Sequence, residues 1–327
     1  MFRSGPVDVH THVSPAGFPG EPEGQGAWPC MCHRPDGRMI LEFGGKPFRR
    51  LEANSWDAAQ RLADMDRDGI AVQIVSPMPE LFSYGFDASK SAALCEHVNG
   101  SVAELVSQAP DRFAGIGIVT MQDPELAVRQ VLELRSRYGL IGIEIGSNIG
   151  GLYAGNPVYH PVYEVAAAQD LLVFVHAFHP LSAGAGGLAA KWTPFAGFMN
   201  DIGVSALSFI EQDVTGKYPG LKLLFSHGGG TLASLLGRLE KGFAATQGYG
   251  GMTRSPRAIV KDFLYDSNVY DPTLLSYLAT HFAPGRLMLG TDYPYDIRQD
   301  EPLSFLKETG PAAAGIDAAG AALLKIF

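Results

Sequence analysis

Residues 7–15 read VDVHTHVSP, which sets His10 and His12 two positions apart directly behind a short apolar run. In a β-strand, side chains i and i+2 point to the same face. Two imidazoles at one strand end would therefore address one object, and a divalent metal ion is the candidate. Two unrelated surface histidines would give the same pair, so the rest of the chain has to decide. Three more residues of metal-binding type follow apolar runs: His176 after LLVFV, His227 after LKLLFS and Asp292 after LMLGT. Each has an ordinary explanation when taken singly. His176 could be a packed core histidine, His227 could cap the Gly-Gly-Gly turn at 228–230, and Asp292 could be a turn aspartate before Tyr-Pro. Their shared placement is what argues for one site. His33, His97, His160 and His281 show no such placement, and His179 reads as a loop residue or a neighbour of the site.

The elements that must position these residues are eight short apolar runs: 7–9, 72–76, 113–119, 141–145, 171–175, 221–226, 263–267 and 287–291. Helical patterns separate them. Residues 55–69 open on Ser55 as a cap and stop at Gly69; residues 123–139 have Asp123 as cap, Pro124 in the first turn and Gly139 at the stop. Segments 160–170 and 230–243 behave alike. Strands alternating with helices give a parallel sheet, and eight of them predict an α/β chain folded as a (β/α)8 TIM barrel. A doubly wound open sheet would carry a glycine-rich dinucleotide turn after an early strand, and none is present. Barrel active sites lie at the C-terminal strand ends, where His10, His12, His176, His227 and Asp292 all fall. The barrel is expected to be distorted by a long insertion between strands one and two. Residues 1–327 are read as a single domain, with the Pro- and Gly-rich segment 14–55 as an inserted lid holding a hairpin at 37–48. Segment 177–200 reads as a second long loop.

Composition narrows the partners. The 327 residues are 46% hydrophobic and 18% charged, with a net charge of −9. Such a chain builds a core, and its acidic balance with no basic stripe excludes nucleic acid. No run of about 18 apolar residues exists to span a membrane, and the first ten residues carry no apolar leader. Three cysteines do not make a disulfide framework. CMCH at 30–33 reads as a reduced loop without the second ligand pair of a zinc finger, so a cytoplasmic location is expected.

The chain resembles the amidohydrolase superfamily and, within it, the family of 2-amino-3-carboxymuconate-6-semialdehyde decarboxylases. The stretches that carry the likeness are DVHTH, FRRLEANSWD, MDRDGIAVQ, FSY, DPELAV, FVH, SHGGGTLASLLGRLEKGF and LGTDYP, between about residues 7 and 296. The resemblance implies one Zn²⁺ per chain, with Mn²⁺, Fe²⁺ or Co²⁺ as alternatives, held by His10, His12, His176 and Asp292. It makes His227 the acid/base, with Asp292 beside it in the catalytic set. It implies that Arg49 binds a small anionic carboxylate substrate, with Arg50 the candidate if the register slips by one. Arg238 would be supplied by the neighbouring subunit of a homodimer. Arginine suits both roles because its planar fork grips carboxylates. Departures fall in the substrate pocket: Ala-Phe-His stands at 177–179 where the family has Pro-Trp-Asp, and Phe195 aligns with a family tryptophan, with Trp192 close by. Glu144, on the fourth strand, is a candidate for a second metal.

Two chemistries fit this set. A metal with an open position acidifies its water towards a pKa of about 7, and a neighbouring histidine moves a proton. A decarboxylase without an organic cofactor would use these to protonate the carbon that loses CO₂. A hydrolase or hydratase would use them on a lactone, amide or unsaturated acid. A non-catalytic barrel that keeps the metal is the third reading, and the intact five-residue set speaks against it.

Overall fold

β1 (Val7–Val13) is buried at every residue, as a strand enclosed on both faces must be. The computed structural model describes residues 1–20, 26–34, 38–181 and 189–326. After β1 come β2 (Pro29–His33), β3 (Met39–Phe43), β4 (Lys46–Leu51), α1 (Ala58–Asp68), β5 (Val72–Pro77), α2 (Ala88–Gln108), β6 (Phe113–Gly115) and α3 (Pro124–Tyr138). β7 (Gly142–Gly146), the two-residue strands β8 (Asn148–Ile149) and β9 (Leu152–Tyr153), α4 (His160–Ala168), β10 (Leu172–His176), α5 (Phe198–Glu211) and α6 (Val214–Lys217) follow. The chain ends through β11 (Lys222–Phe225), α7 (Leu232–Ala245), α8 (Pro256–Ile259), β12 (Leu264–Asp266), α9 (Pro272–Tyr277), β13 (Leu287–Met288), α10 (Pro302–Thr309) and α11 (Ile316–Leu324).

The eight apolar runs of the sequence are the eight strands of a parallel barrel. β1, β5 and β6 pair in that order, and β7, β10, β11, β12 and β13 form the other arc. Two bridges close the ring, Gly117 with Ile143 and Thr11 with Tyr293. The second seam is stitched by backbone bonds Val9 N to Leu289 O (2.8 Å), Asp292 N to His10 O (2.9 Å) and His12 N to Tyr293 O (2.7 Å). The first and last strands are thus joined at the residues of the expected site. Strand alternation then sorts the layers. On β10, Val173 and Val175 pack with the helical layer, whereas Leu172 and Phe174 join an inner cluster with Val9, Ile74 and Leu224.

Helix boundaries follow their caps. Asp123 accepts from Leu126 N and Gly139 turns left-handed at φ 68°, as expected. α1 corrects one expectation: its cap is Asp57, which accepts from Gln60 N, while Ser55 sits buried in a 3₁₀ turn just before it. Gly69 ends α1 at φ 73°. CMCH is no loop but the strand β2, which with the expected hairpin, β3 and β4, makes a three-stranded antiparallel sheet. Its buried residues Met31, Leu41 and Leu51 pack with Leu81, Phe82 and Tyr295 beyond the ends of β5 and β13. Segment 177–200 is also less irregular than expected. A helical turn begins at Ala190 and runs into α5, whereas 182–188 lie outside the described residues. Among the described residues no helix is long and apolar enough to cross a membrane.

Candidate metal centre

Four side chains from three barrel positions converge at the C-terminal rim. One donor atom from each of His10, His12, His176 and Asp292 lies within 4.8 Å of the others, and all four residues are buried. His10 Nε2 stands 3.1 Å from both His12 Nε2 and His176 Nε2. Asp292 Oδ1 lies 3.3 Å from His10 Nε2 and 3.2 Å from His12 Nε2.

The outward nitrogens decide what these atoms can hold. His10 Nδ1 meets Asp266 Oδ2 at 2.5 Å, His12 Nδ1 meets Pro77 O at 3.3 Å and His176 Nδ1 meets Ala177 O at 2.9 Å. Each partner is an acceptor, so each Nδ1 carries a proton, and with an ion bound each Nε2 would turn its lone pair inward. Three lone pairs and a carboxylate oxygen facing one another repel unless a cation lies between them. Asp292 Oδ1 is buried without a hydrogen bond. The donor set fits a divalent ion of the zinc type. Electrostatics agree. Burial opposes a charge on His10, yet Asp292 and Asp266 on either side push its pKa up to about 10. Burial would likewise raise Asp292, but the neighbouring imidazoles, His10 foremost, hold it well below the carboxylate range. The two carboxylates favour positive charge at His10, whereas burial disfavours it on His12. His176, under the combined effect of burial and three adjacent imidazoles, stays well below the histidine range.

Local sequence explains the alignment. Asp292 is left-handed at φ 69°, which turns the chain at the end of the eighth strand. Asp8, one strand repeat before His10, accepts from Thr291 Oγ1 (2.6 Å), Thr291 N (3.1 Å) and His10 N (3.2 Å). It braces the seam, and burial pushes its pKa up to about 7. Arg61, fully buried in α1, donates to the carbonyls of His12 and Asn54 at 2.9 Å and lies over the Tyr293 ring. Phe174 forms an apolar floor, its ring 5.0 Å from that of His10. Sequence reasoning missed Asp8, Arg61 and Asp266. Only Asp266 carried a readable signal, since it lies within the seventh apolar run, one residue before its end, as His176 follows the fifth.

His227 lies beside the four donors and is not one of them. Its ring centroid is 5.2 Å from that of His10 and 5.3 Å from that of His176. It is left-handed at φ 55°, and Gly228 follows at φ 61°. Burial lowers its pKa, against a partial pull from Asp292. Its Nδ1 faces the Asn268 amide at 3.4 Å, which leaves Nε2 for a reacting group.

Arg49 reaches the same rim from β4. Its guanidinium lies 4.3 Å over the Tyr295 ring, and Tyr295 in turn stacks on His12 at 4.9 Å. Glu80 accepts from Arg49 at 2.9 Å, and Arg49 Nε is buried without a partner. Arg50 points away, paired with Glu52 at the surface. Glu144 approaches His12 from the Nδ1 side at 3.8 Å, behind the ligand face, and both its oxygens lack partners. No hydrogen bond, ion pair or ring contact joins Arg238, Trp192 or Phe195 to the four donors. Arg238 is exposed on α7, and Trp192 and Phe195 meet each other while 50% and 58% exposed.

Four matches with known proteins bear on the chain. Residues 7–324 match the profile of the family described as Amidohydrolase. The chain is 30% identical over 305 residues to the 2-amino-3-carboxymuconate-6-semialdehyde decarboxylase of Dictyostelium discoideum, covering 92% of this chain and 84% of that one. It is 26% identical to the gamma-resorcylate decarboxylase of Polaromonas sp. strain JS666, over 72% of this chain and 77% of the relative. Among solved structures, the dihydroxybenzoic acid decarboxylase of Polaromonas sp. JS666, with bound manganese and 2-nitroresorcinol, superposes with a TM-score of 0.76 at 22% identity. That superposition covers 98% of this chain and 97% of the other, and bears on the fold.

Proposed function

The chain belongs to the amidohydrolase family, and on that footing we propose that it is a metal-dependent decarboxylase of a carboxymuconate semialdehyde or a related aromatic carboxylic acid, working without an organic cofactor. The observation that carries this reading is the convergence of His10, His12, His176 and Asp292 beside a separate buried imidazole, His227. The relatives named for decarboxylation support the same direction.

The four donors would hold one divalent ion, zinc first and manganese, iron or cobalt as alternatives, which when bound supplies Lewis-acid polarisation of substrate oxygens. Arg49 takes the substrate carboxylate with its remaining N–H groups, while Glu80 and Tyr295 keep the guanidinium in place. His227 moves the proton. The carbon–carbon bond breaks with its electron pair left on carbon, CO₂ departs, and that carbon takes a proton from His227, which is replaced from solvent. Burial of the rim keeps competing water away from the carbon being protonated.

Trp192 and Phe195 flank the substrate in this reading, and Arg238 reaches it from a second copy in a homodimer. The placement of Arg238 on α7 supports that role, since only Leu232 and Leu236 of its 14 residues are buried within one chain. The chain acts as a single domain with 14–55 as its lid, of which 21–25 and 35–37 lie outside the described residues. A cytoplasmic location fits its free cysteines.

The test is a panel of carboxylated muconate semialdehydes and hydroxybenzoates, with release of CO₂ as the signal. Expected is turnover of at least one anionic acid. Hydrolysis of lactones or amides with no CO₂ from any acid would replace this reading with the hydrolase one.

A further inference from the structure

β12 ends at Asp266, which meets His10 but holds no metal and touches no substrate in the proposed reaction. Asp266, Ser267 and Asn268 are nonetheless all buried, at 0%, 1% and 1% exposure. A carboxylate placed there without a lysine or arginine partner needs a reason. We infer that Asp266 is the positioning residue of the centre: it fixes the tautomer of His10 and, through its other oxygen, the turn that presents His227. The inference rests on the proposed metal site.

Both oxygens of Asp266 are fully used. Oδ2 faces His10 Nδ1 at 2.5 Å. Oδ1 accepts from Gly228 N at 2.9 Å and from Asn268 N at 3.1 Å. An acceptor at Nδ1 keeps that proton outward and turns the Nε2 lone pair to the point shared with His12, His176 and Asp292. Neither His10 nor Asp266 is exposed, so solvent cannot take over the role. The hold on Gly228 N matters because His227 and Gly228 are both left-handed, at φ 55° and 61°, a turn that needs an external anchor. Gly290 leaves the room that lets the pair approach. A Cβ there would stand 2.6 Å from Asp266 Cβ and 2.9 Å from His10 Cβ.

Asp266→Asn separates this role from plain packing, because it keeps the shape and one acceptor oxygen. If that oxygen serves Gly228 and Asn268, the NH₂ faces His10 Nδ1 and drives the proton onto Nε2, the ligating atom. If the oxygen turns to His10, the two backbone N–H groups lose their acceptor. Zinc affinity of wild type and variant is measured on metal-stripped protein by competition with a chromophoric chelator, alongside the melting temperature of both stripped proteins. Expected is a loss of about 10–100-fold in zinc affinity, with the stripped proteins melting within a few degrees of each other. Equal zinc affinity in a folded variant would overturn the inference, as would a large drop in melting temperature with affinity unchanged. A wild-type chain that binds no zinc would instead overturn the proposed metal site. A second measurement does not depend on the variant folding. In zinc-loaded wild type, long-range ¹H–¹⁵N spectra should show the His10 proton on Nδ1 and protected from exchange; an Nδ1 without a proton would contradict the assignment.

Discussion

His227 and His12 lie in one cluster and should fail differently. His227→Ala is expected to lower turnover by about 10²–10⁴-fold, the usual contribution of a general acid/base, while metal content stays near that of wild type. His12→Ala should lose the metal along with activity. Elemental analysis beside the rate separates the two, and a His227 variant as metal-poor as the His12 variant would make His227 a ligand. Arg49→Ala should raise KM for an anionic acid, whereas Arg50→Ala, whose side chain pairs with Glu52 at the surface, should leave KM close to wild type. The donors were legible in the sequence because each stands at an apolar run's end, a purely local mark. Arg61 and Asp8 were not. Their value comes from the His12 carbonyl and from Thr291, partners that only the closed barrel brings near.

Elements set how far those residues can shift. Gly290→Ala would press a methyl group between Asp266 and His10, whose Cβ atoms stand 2.6 and 2.9 Å from it and cannot swing aside. Overpacking of this kind costs about 1–3 kcal/mol. Denaturant unfolding should show that loss together with reduced zinc content. A pH effect belongs to α4. His160, at its start, is 8% exposed and packs against Tyr163 and Tyr218. Burial holds its pKa below 6.5, so the unfolded chain takes up the proton first and stability falls as pH drops through the ordinary histidine range. His160→Gln should lessen that fall, read as a smaller change in unfolding midpoint between about pH 7.5 and about pH 5.5. The strands of the barrel and the caps at Asp123 and Gly139 could be read from sequence. The start of α1 could not be placed, since Ser55 and Asp57 are both capping residue types and burial chose between them. β2 escaped because Pro-Cys-Met-Cys-His spans only five residues, and its pairing with β3 is not visible in its own composition.

At the scale of the whole molecule, the seam between β1 and β13 ties the metal centre to closure of the barrel, and the fold class followed from counting strands. What the sequence could not place is anything completed by a second copy. Arg238 is exposed on α7, whose apolar residues Leu232, Ala233, Leu236 and Leu239 pack on the chain's own core. If it acts across a dimer, mixing Arg238→Ala with His227→Ala should restore activity, because one of the two heterodimer sites then holds both residues. No recovery despite proven subunit exchange would place Arg238 outside the reaction. The central claim, a metal-dependent decarboxylase, meets its most direct test in one titration. The protein is stripped with a chelator, divalent metal is added back stepwise, and CO₂ released from a carboxyl-labelled acid substrate is counted. The account predicts no release from the stripped protein and a rise that saturates near one ion per chain, the stoichiometry of a single four-donor site. Undiminished CO₂ release from protein proven free of metal would contradict it.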